Sequence, residues 1–212
     1  MKFFKSLVWK VLAVLNFDAA VRLFRSSALV DEGWYESYRT KQSINKGGEP
    51  IPWYTYSFIH FIEPRLKPEF RVFEYGCGNS TIWYARRVKG IVAVEHDIQW
   101  AAKVTAILPA NARAILKDPN EGYVQEIDQH GLFDIVVIDG VKRVECAPAA
   151  LGHLKVDGVV VWDNSDLEKY SEGLKLFTDH GFREIAFNGM GPINTYSWRT
   201  SILYRTNNCL GI

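Results

Sequence analysis

Cysteine is scarce in this chain. Its three residues, Cys77, Cys146 and Cys209, are odd in number and form no C-x-x-C pair. That argues against a disulfide framework or a cysteine-built zinc site and points to a reducing compartment, so a cytoplasmic location is expected. An excess of either charge is missing too. With 25 Lys and Arg against 24 Asp and Glu, the net charge is +1, so no broad field draws the protein to nucleic acid, and no such partner is expected. Long apolar runs are lacking at the N-terminus, where the longest unbroken stretch is residues 11–15, far short of the ~20 residues that cross a bilayer. Repeats and low-complexity linkers are absent as well. The 212 residues suit one domain able to bury a sizeable core.

Phe4, Leu7, Val8, Val11, Leu12 and Leu15 recur at helical spacing, which predicts a helix over residues 3–25, interrupted on its polar side by Lys5 and Lys10. Such an amphipathic helix packs on the domain or on a second subunit as a homodimer, or lies on a membrane as a peripheral contact. Residues 30–52 are polar and punctuated by Gly and Pro, with "NKGGEPIP" as loop. Residues 54–66 read as a second helix that stops near Pro68. An N-terminal extension, 1–53, thus precedes a domain over 54–212.

From residue 70 apolar runs of strand length alternate with helical stretches: "FRVFEY", "IVAVEH", "ARAIL", "FDIVVID" and "GVVVWD". Unbroken Val/Ile runs suit strands buried on both faces, and their alternation with helices implies a parallel sheet. After a helix over 167–180, "FREIAFNG" and "YSWRTSILYR" read as an antiparallel pair. The expected fold class is α/β, a doubly wound, mostly parallel, seven-stranded sheet with a terminal antiparallel strand. Ligands of such sheets sit at the carboxyl ends of the strands. Glu74, Glu95, Asp139 and Asp163 each close a strand, so four carboxylates are expected around one site.

The first strand leads into Gly76-Cys-Gly78-Asn-Ser-Thr81. A dinucleotide fingerprint requires a third glycine for close helix packing, and this run lacks it. Glu74, two residues before Gly76, would repel a pyrophosphate but suits a cofactor with a cationic amine and no phosphate, a description that S-adenosylmethionine fits. "VFEYGCGNST", "VAVEHD", "FDIVVIDG" and "GVVVWDNSD", in that order, resemble the class I S-adenosylmethionine-dependent methyltransferases over roughly residues 54–205. The resemblance implies that Glu74 reaches the methionine amine, that Gly76 and Gly78 let the backbone pass close to the cofactor, and that Glu95 holds the ribose hydroxyls. Asn79 and Ser80 contact the cofactor or cap the following helix. Asp118, after the third run, faces the adenine under the same resemblance. Trp53, Tyr54 and Tyr56 cover the site or pack the helix behind it.

"IDGVK" and "VWDNS" further resemble the metal-dependent O-methyltransferases of the catechol and caffeoyl-coenzyme A type. That resemblance implies Asp139, Asp163 and Asn164 as ligands of Mg²⁺ and Lys142 as the general base on an acceptor hydroxyl, with Asp139 beside cofactor and acceptor alike. The alternative is that Asp139 orients the substrate directly while Asp163 and Asn164 cap helix 167–180. Arg143 could bind a substrate carboxylate or phosphate, and Asp166 is a further ligand, a helix cap or neither. Asn194 and Trp198, in or after a Gly-Pro turn, are candidates for the acceptor wall. The expected activity is O-methylation of a small hydroxylated molecule, with Mg²⁺ assisting; the competing reading is a cofactor- or partner-binding protein without catalysis.

Overall fold

The structure, a computed structural model, describes Trp9, Lys10, residues 13–15 and residues 17–212. Seven strands form one sheet in the order β3-β2-β1-β4-β5-β7-β6. They are β1 (Arg71–Tyr75), β2 (Gly90–Glu95), β3 (Ala112–Leu116), β4 (Phe133–Ile138), β5 (Leu154–Asp163), β6 (Arg183–Gly189) and β7 (Trp198–Tyr204). β7 alone runs antiparallel, inserted between β5 and the edge strand β6. The expected α/β fold class is what the structure shows.

Alternation along the strands serves two cores. Val72, Ile135, Val137, Val159 and Val161 face one layer with Phe58, Ile59 and Trp83. Their sequence neighbours Phe73, Tyr75, Val136, Ile138, Val160 and Trp162 face the other, with Cys146, Ala147 and Phe177. The first layer carries helices α4 (Tyr56–Ile62) and α5 (Asn79–Ala85); the second carries α7 (Arg143–Gly152) and α8 (Ser171–Asp179). Burial on both faces is why these strands read as continuous apolar runs.

Ahead of the sheet lie α1 (Asp18–Arg25), α2 (Ala28–Asp31) and α3 (Trp34–Thr40), and α6 (Ile98–Thr105) follows β2. The helix expected over 3–25 is not continuous. Trp9, Lys10, Ala13 and Val14 are helical, Phe17 is not, and α1 starts at Asp18, whose carboxylate suits a helix N-terminus. Phe4, Leu7, Val8, Val11 and Leu12 lie outside the described residues. No helix is expected from the sequence over residues 30–44, where α3 lies, whereas "NKGGEPIP" is loop as expected. α3 is bracketed by two left-handed residues, Gly33 and Lys41, and fixed by distant partners. The Trp34 indole donates to the Asn194 carbonyl at 2.7 Å, and the Ser37 hydroxyl to the Ile44 carbonyl at 2.5 Å. Trp34 and Ile51 share the first core with Tyr54 and Phe58. The second expected helix is shorter than 54–66: α4 ends at Ile62 and tightens into a 3₁₀ turn, Glu63–Arg65.

The carboxyl ends of β1 and β4 meet through two glycines. Gly76, at φ +94°, turns the chain out of β1, and a Cβ there would lie 3.2 Å from the Gly140 Cα. A Cβ on Gly140 would lie 2.1 Å from the Tyr123 hydroxyl and 2.8 Å from the Gly76 nitrogen. Gly140→Ala is therefore expected to cost about 1–3 kcal/mol, the range for overpacking a tight site, read as a lowered urea midpoint at unchanged slope. A wild-type midpoint would refute the close approach.

Candidate active site

All four predicted strand-end acids lie on the walls of adjoining clefts at the carboxyl edge of the parallel strands. One cleft, of about 460 Å³, is walled by Glu74, Gly76, Ser80, Glu95, Trp100 and Asp139. A second, of about 370 Å³, is walled by Trp53, Asp139, Arg143, Asp163, Tyr196 and Trp198, with Asn164 and Asn194. A third, of about 580 Å³, joins Trp53, Gly78, Asn79, Ser80, Trp100 and Asp139 to the loop at Lys41–Ser43. Asp139 is on the wall of all three.

Glu74 is 1% exposed. Its carboxylate accepts from the hydroxyls of Ser80 and of Thr81, the latter at 2.5 Å. Thr81 in turn accepts from the Gly78 amide at 3.0 Å, so it ties the glycine loop to the acid. Burial raises the Glu74 pKa to about 8; the two hydroxyls pull it down, and the Asp139 and Glu95 charges push it up. The helix-cap reading of Asn79 and Ser80 does not hold: Gly78 is the N-cap of α5, Ser80 serves Glu74, and the Asn79 amide donates to the Ser43 carbonyl at 2.7 Å.

Glu95, at 5% exposure, ends β2 with both oxygens partly used. Oε1 accepts from the amides of His96 and Asp97 at 2.7 and 2.9 Å, and Oε2 from the Cys77 amide at 3.1 Å. One lone pair of Oε2 remains for a ligand hydroxyl. The Trp100 indole closes this side by donating to the Cys77 carbonyl at 2.6 Å.

Asp163 faces Thr200 directly across β5 and β7, and Trp198 lies two residues before Thr200 on the same face. Its Oδ1 accepts from the Thr200 hydroxyl at 2.6 Å and from the Trp198 indole at 3.0 Å. Burial, then the Asp139 charge, raises the Asp163 pKa; burial also raises that of Asp139, which Arg143 opposes. The cap reading of Asp163 and Asn164 is not met. The turn before α8 has no side-chain cap, and Asn164 turns the chain at φ +55°. Asp166 caps no helix: it accepts from the Arg199 amide at 3.1 Å and fastens the start of β7.

Arg143 is the residue whose place was least visible in the sequence. Read in the sequence as a binder of substrate carboxylate or phosphate, it is 9% exposed and fills the space between the three residues assigned to a metal. Its Nε donates to the Gly140 carbonyl at 2.9 Å, and Nη2 to the Asp139 carbonyl and Oδ1 at 2.8 and 3.0 Å. Its Nη1 donates to the Asn164 Oδ1 at 3.1 Å and to the Asp163 carbonyl. Five donors thus meet five acceptors, and the guanidinium lies 5.0 Å from the Tyr170 ring centre. This set does not fit Mg²⁺: a fixed cation already takes oxygens of Asp139, Asp163 and Asn164, and Asp163 Oδ1 is committed to Trp198 and Thr200. No cluster of three His, Cys, Asp or Glu that could hold a metal occurs among the described residues.

Two predicted residues lie off the clefts. Lys142, at φ +51°, sends its Nζ to the Asn120 side chain at 2.9 Å and is on none of these walls. Asp118 is exposed and accepts from the Asn120 amide at 2.7 Å. Tyr54 and Tyr56 are buried core, whereas Trp53, 46% exposed, walls two of the clefts. The aromatic expectation therefore divides at residue 53.

No family model matches the sequence, and no curated protein does. Solved structures share the fold. An rRNA methylase from Streptococcus thermophilus superposes with a TM-score of 0.55 at 20% identity, over 69% of this chain and 92% of that one. A precorrin-6y C5,15-methyltransferase from Geobacter metallireducens gives 0.55 at 18%, over 70% and 86%. A precorrin 8w decarboxylase from Methanobacterium thermoautotrophicum gives 0.57 at 16%, over 78% and 97%. The chain therefore has the Rossmann-like fold of the class I methyltransferases.

Two outcomes follow from the acids and their cation. Glu74 binds its proton more tightly folded, at about 8, than at its ordinary 4.5. Its contribution to stability is thus full below about pH 4.5 and is lost as pH rises through about 8. Glu74→Gln should flatten the fall in melting temperature between pH 5 and 8.5 by several degrees; an unchanged slope would exclude Glu74 as its source. Arg143→Met should cost about 3 kcal/mol, the lower end for breaking a buried pair because the carboxylates can take up protons. Chelator or added Mg²⁺ should leave the wild-type melting temperature where it was.

Proposed function

We propose that the protein is an S-adenosylmethionine-dependent methyltransferase that methylates a hydroxyl of a small acceptor held in the Trp53–Tyr196–Trp198 cleft. The observation that carries this reading is the place of Asp139, on the common wall of the cleft between Glu74 and Glu95 and of the aromatic cleft beyond it.

The residues present fit the cofactor. Glu95 keeps a lone pair for a ribose hydroxyl. Glu74, held near-neutral by burial, gains a reason to ionise when a cationic amine arrives. Gly76 and Gly140 leave the backbone bare where the two strand ends meet. Bound there, S-adenosylmethionine supplies an electrophilic methyl group on sulfur.

The remaining work belongs to the chain. Trp53, Tyr196 and Trp198 offer flat apolar walls, and Asn164 and Asn194 offer polar atoms to orient an acceptor. Asp139 would take the proton of the acceptor's hydroxyl as that oxygen received the methyl group, with the carbon–sulfur electrons remaining on sulfur. A carboxylate with a raised pKa is a stronger base for that task than an ordinary one, and Arg143 keeps it in place. Alignment of oxygen, carbon and sulfur then provides most of the acceleration.

Calorimetry with S-adenosylhomocysteine tests the cofactor half, with wild-type binding expected and a loss of tenfold or more in Glu95→Ala. Methyl transfer to a panel of sugars and phenols tests the other half. Asp139→Asn should lower turnover by roughly 10²–10⁴, the span for a general base, while S-adenosylhomocysteine still binds. Failure of wild type to bind S-adenosylhomocysteine would sink the proposal.

A further inference from the structure

Among the described residues, exposed apolar side chains cluster at the N-terminal end. Val14, Leu15, Phe17, Leu23 and Phe24 are exposed by 83, 58, 59, 49 and 66%. No residue of α1 is buried. Phe17, Ala20, Val21 and Phe24 recur at helical spacing and form one face, while Asp18, Arg22 and Arg25 lie on the other side. The Phe24 ring touches Tyr35 edge-on at 5.1 Å, so α1 is joined to the body along one edge. Arg22 lies 4.8 Å from the Trp9 ring centre, which brings a second aromatic residue to the basic side.

We propose that α1 docks the protein on an anionic lipid surface, with Phe17, Val21 and Phe24 entering the interface and Arg22 and Arg25 facing the headgroups. Charge complementarity selects this occupant. Residues 1–25 carry five cations, Lys2, Lys5, Lys10, Arg22 and Arg25, against the single acid Asp18. A second copy of this face would set like charges against each other. An anionic surface satisfies both sides of the helix at once, through apolar burial and attraction of the basic residues. The contact is peripheral, because no helix among the described residues is long and apolar enough to cross a membrane.

Sedimentation of the full chain with vesicles tests this. Wild type is expected to bind vesicles of equal phosphatidylcholine and phosphatidylglycerol, to bind phosphatidylcholine alone far less, and to be released by 0.5 M salt. Phe17→Ser with Phe24→Ser should weaken partitioning by roughly tenfold or more, and Arg22→Glu with Arg25→Glu by a similar factor. Both variants should keep the wild-type circular dichroism spectrum, since the altered side chains lie outside the two cores. Equal binding by wild type and both variants, or no binding by wild type, would overturn the proposal. So would a wild-type dimer in light scattering that the phenylalanine variant makes monomeric, with no vesicle binding by either. That result would give the face to a second copy.

Discussion

The site rests on one buried guanidinium. Arg143 leaves the start of α7 and ties together the ends of β4 and β5, through Asp139 and Gly140 on one side and Asp163 and Asn164 on the other. The two strands are neighbours in the sheet, and their carboxyl ends would otherwise bring two acids together at the bottom of a cleft. Burial penalises both negative charges, Asp139 further raises the Asp163 pKa, and Glu95 further raises that of Asp139. A cation that satisfies its donors on main-chain and side-chain oxygens of both strands makes that arrangement tolerable. The residues that allow the clamp also carry unusual backbone: Lys142 and Asn164, on either side of it, both have positive φ. Such conformations persist where the surroundings hold them, and here the guanidinium is what they surround.

A second constraint acts on the cofactor side. Glu74 sits under the glycine loop with its two hydroxyl partners, close enough to Glu95 and Asp139 for each to raise its pKa. Burial and the two neighbouring acids thus favour a proton on Glu74, and a bound cation would favour its loss. Gly76 and Gly140 make this crowding geometrically possible, since neither position has room for a side chain.

Much of the sheet was legible because burial on both faces writes itself into the sequence as unbroken Val and Ile runs. β1 to β5 fall on the five apolar runs and β6 and β7 on the two segments that follow, and each of the four acids lies at or beside the end of its strand. The insertion of β7 between β5 and β6 left no local trace, being decided by which edges remained open. α3 was hidden because its stability comes from Trp34 and Ser37 reaching residues far from it or beyond it, not from an apolar stripe. Within the site, acids at strand ends could be read directly, whereas the direction of a long side chain could not. Lys142 and Arg143 are adjacent and alike in charge, yet one reaches outward to Asn120 and the other inward to four residues. Nothing in the sequence marks the difference, because the loop 139–142 between β4 and α7 decides which of the two side chains turns inward.

A cation that is part of the chain is present in every copy from the moment the protein folds. Its occupancy does not vary with the ion supply of the surroundings, so the field at Asp139 is the same under metal starvation as under plenty. What is lost is adaptability. A divalent ion can exchange a water for an incoming oxygen, but the five donors of Arg143 are already committed. On the function proposed above, recognition would then fall to the cleft walls, by shape and stacking at Trp53, Tyr196 and Trp198 instead of by chelation.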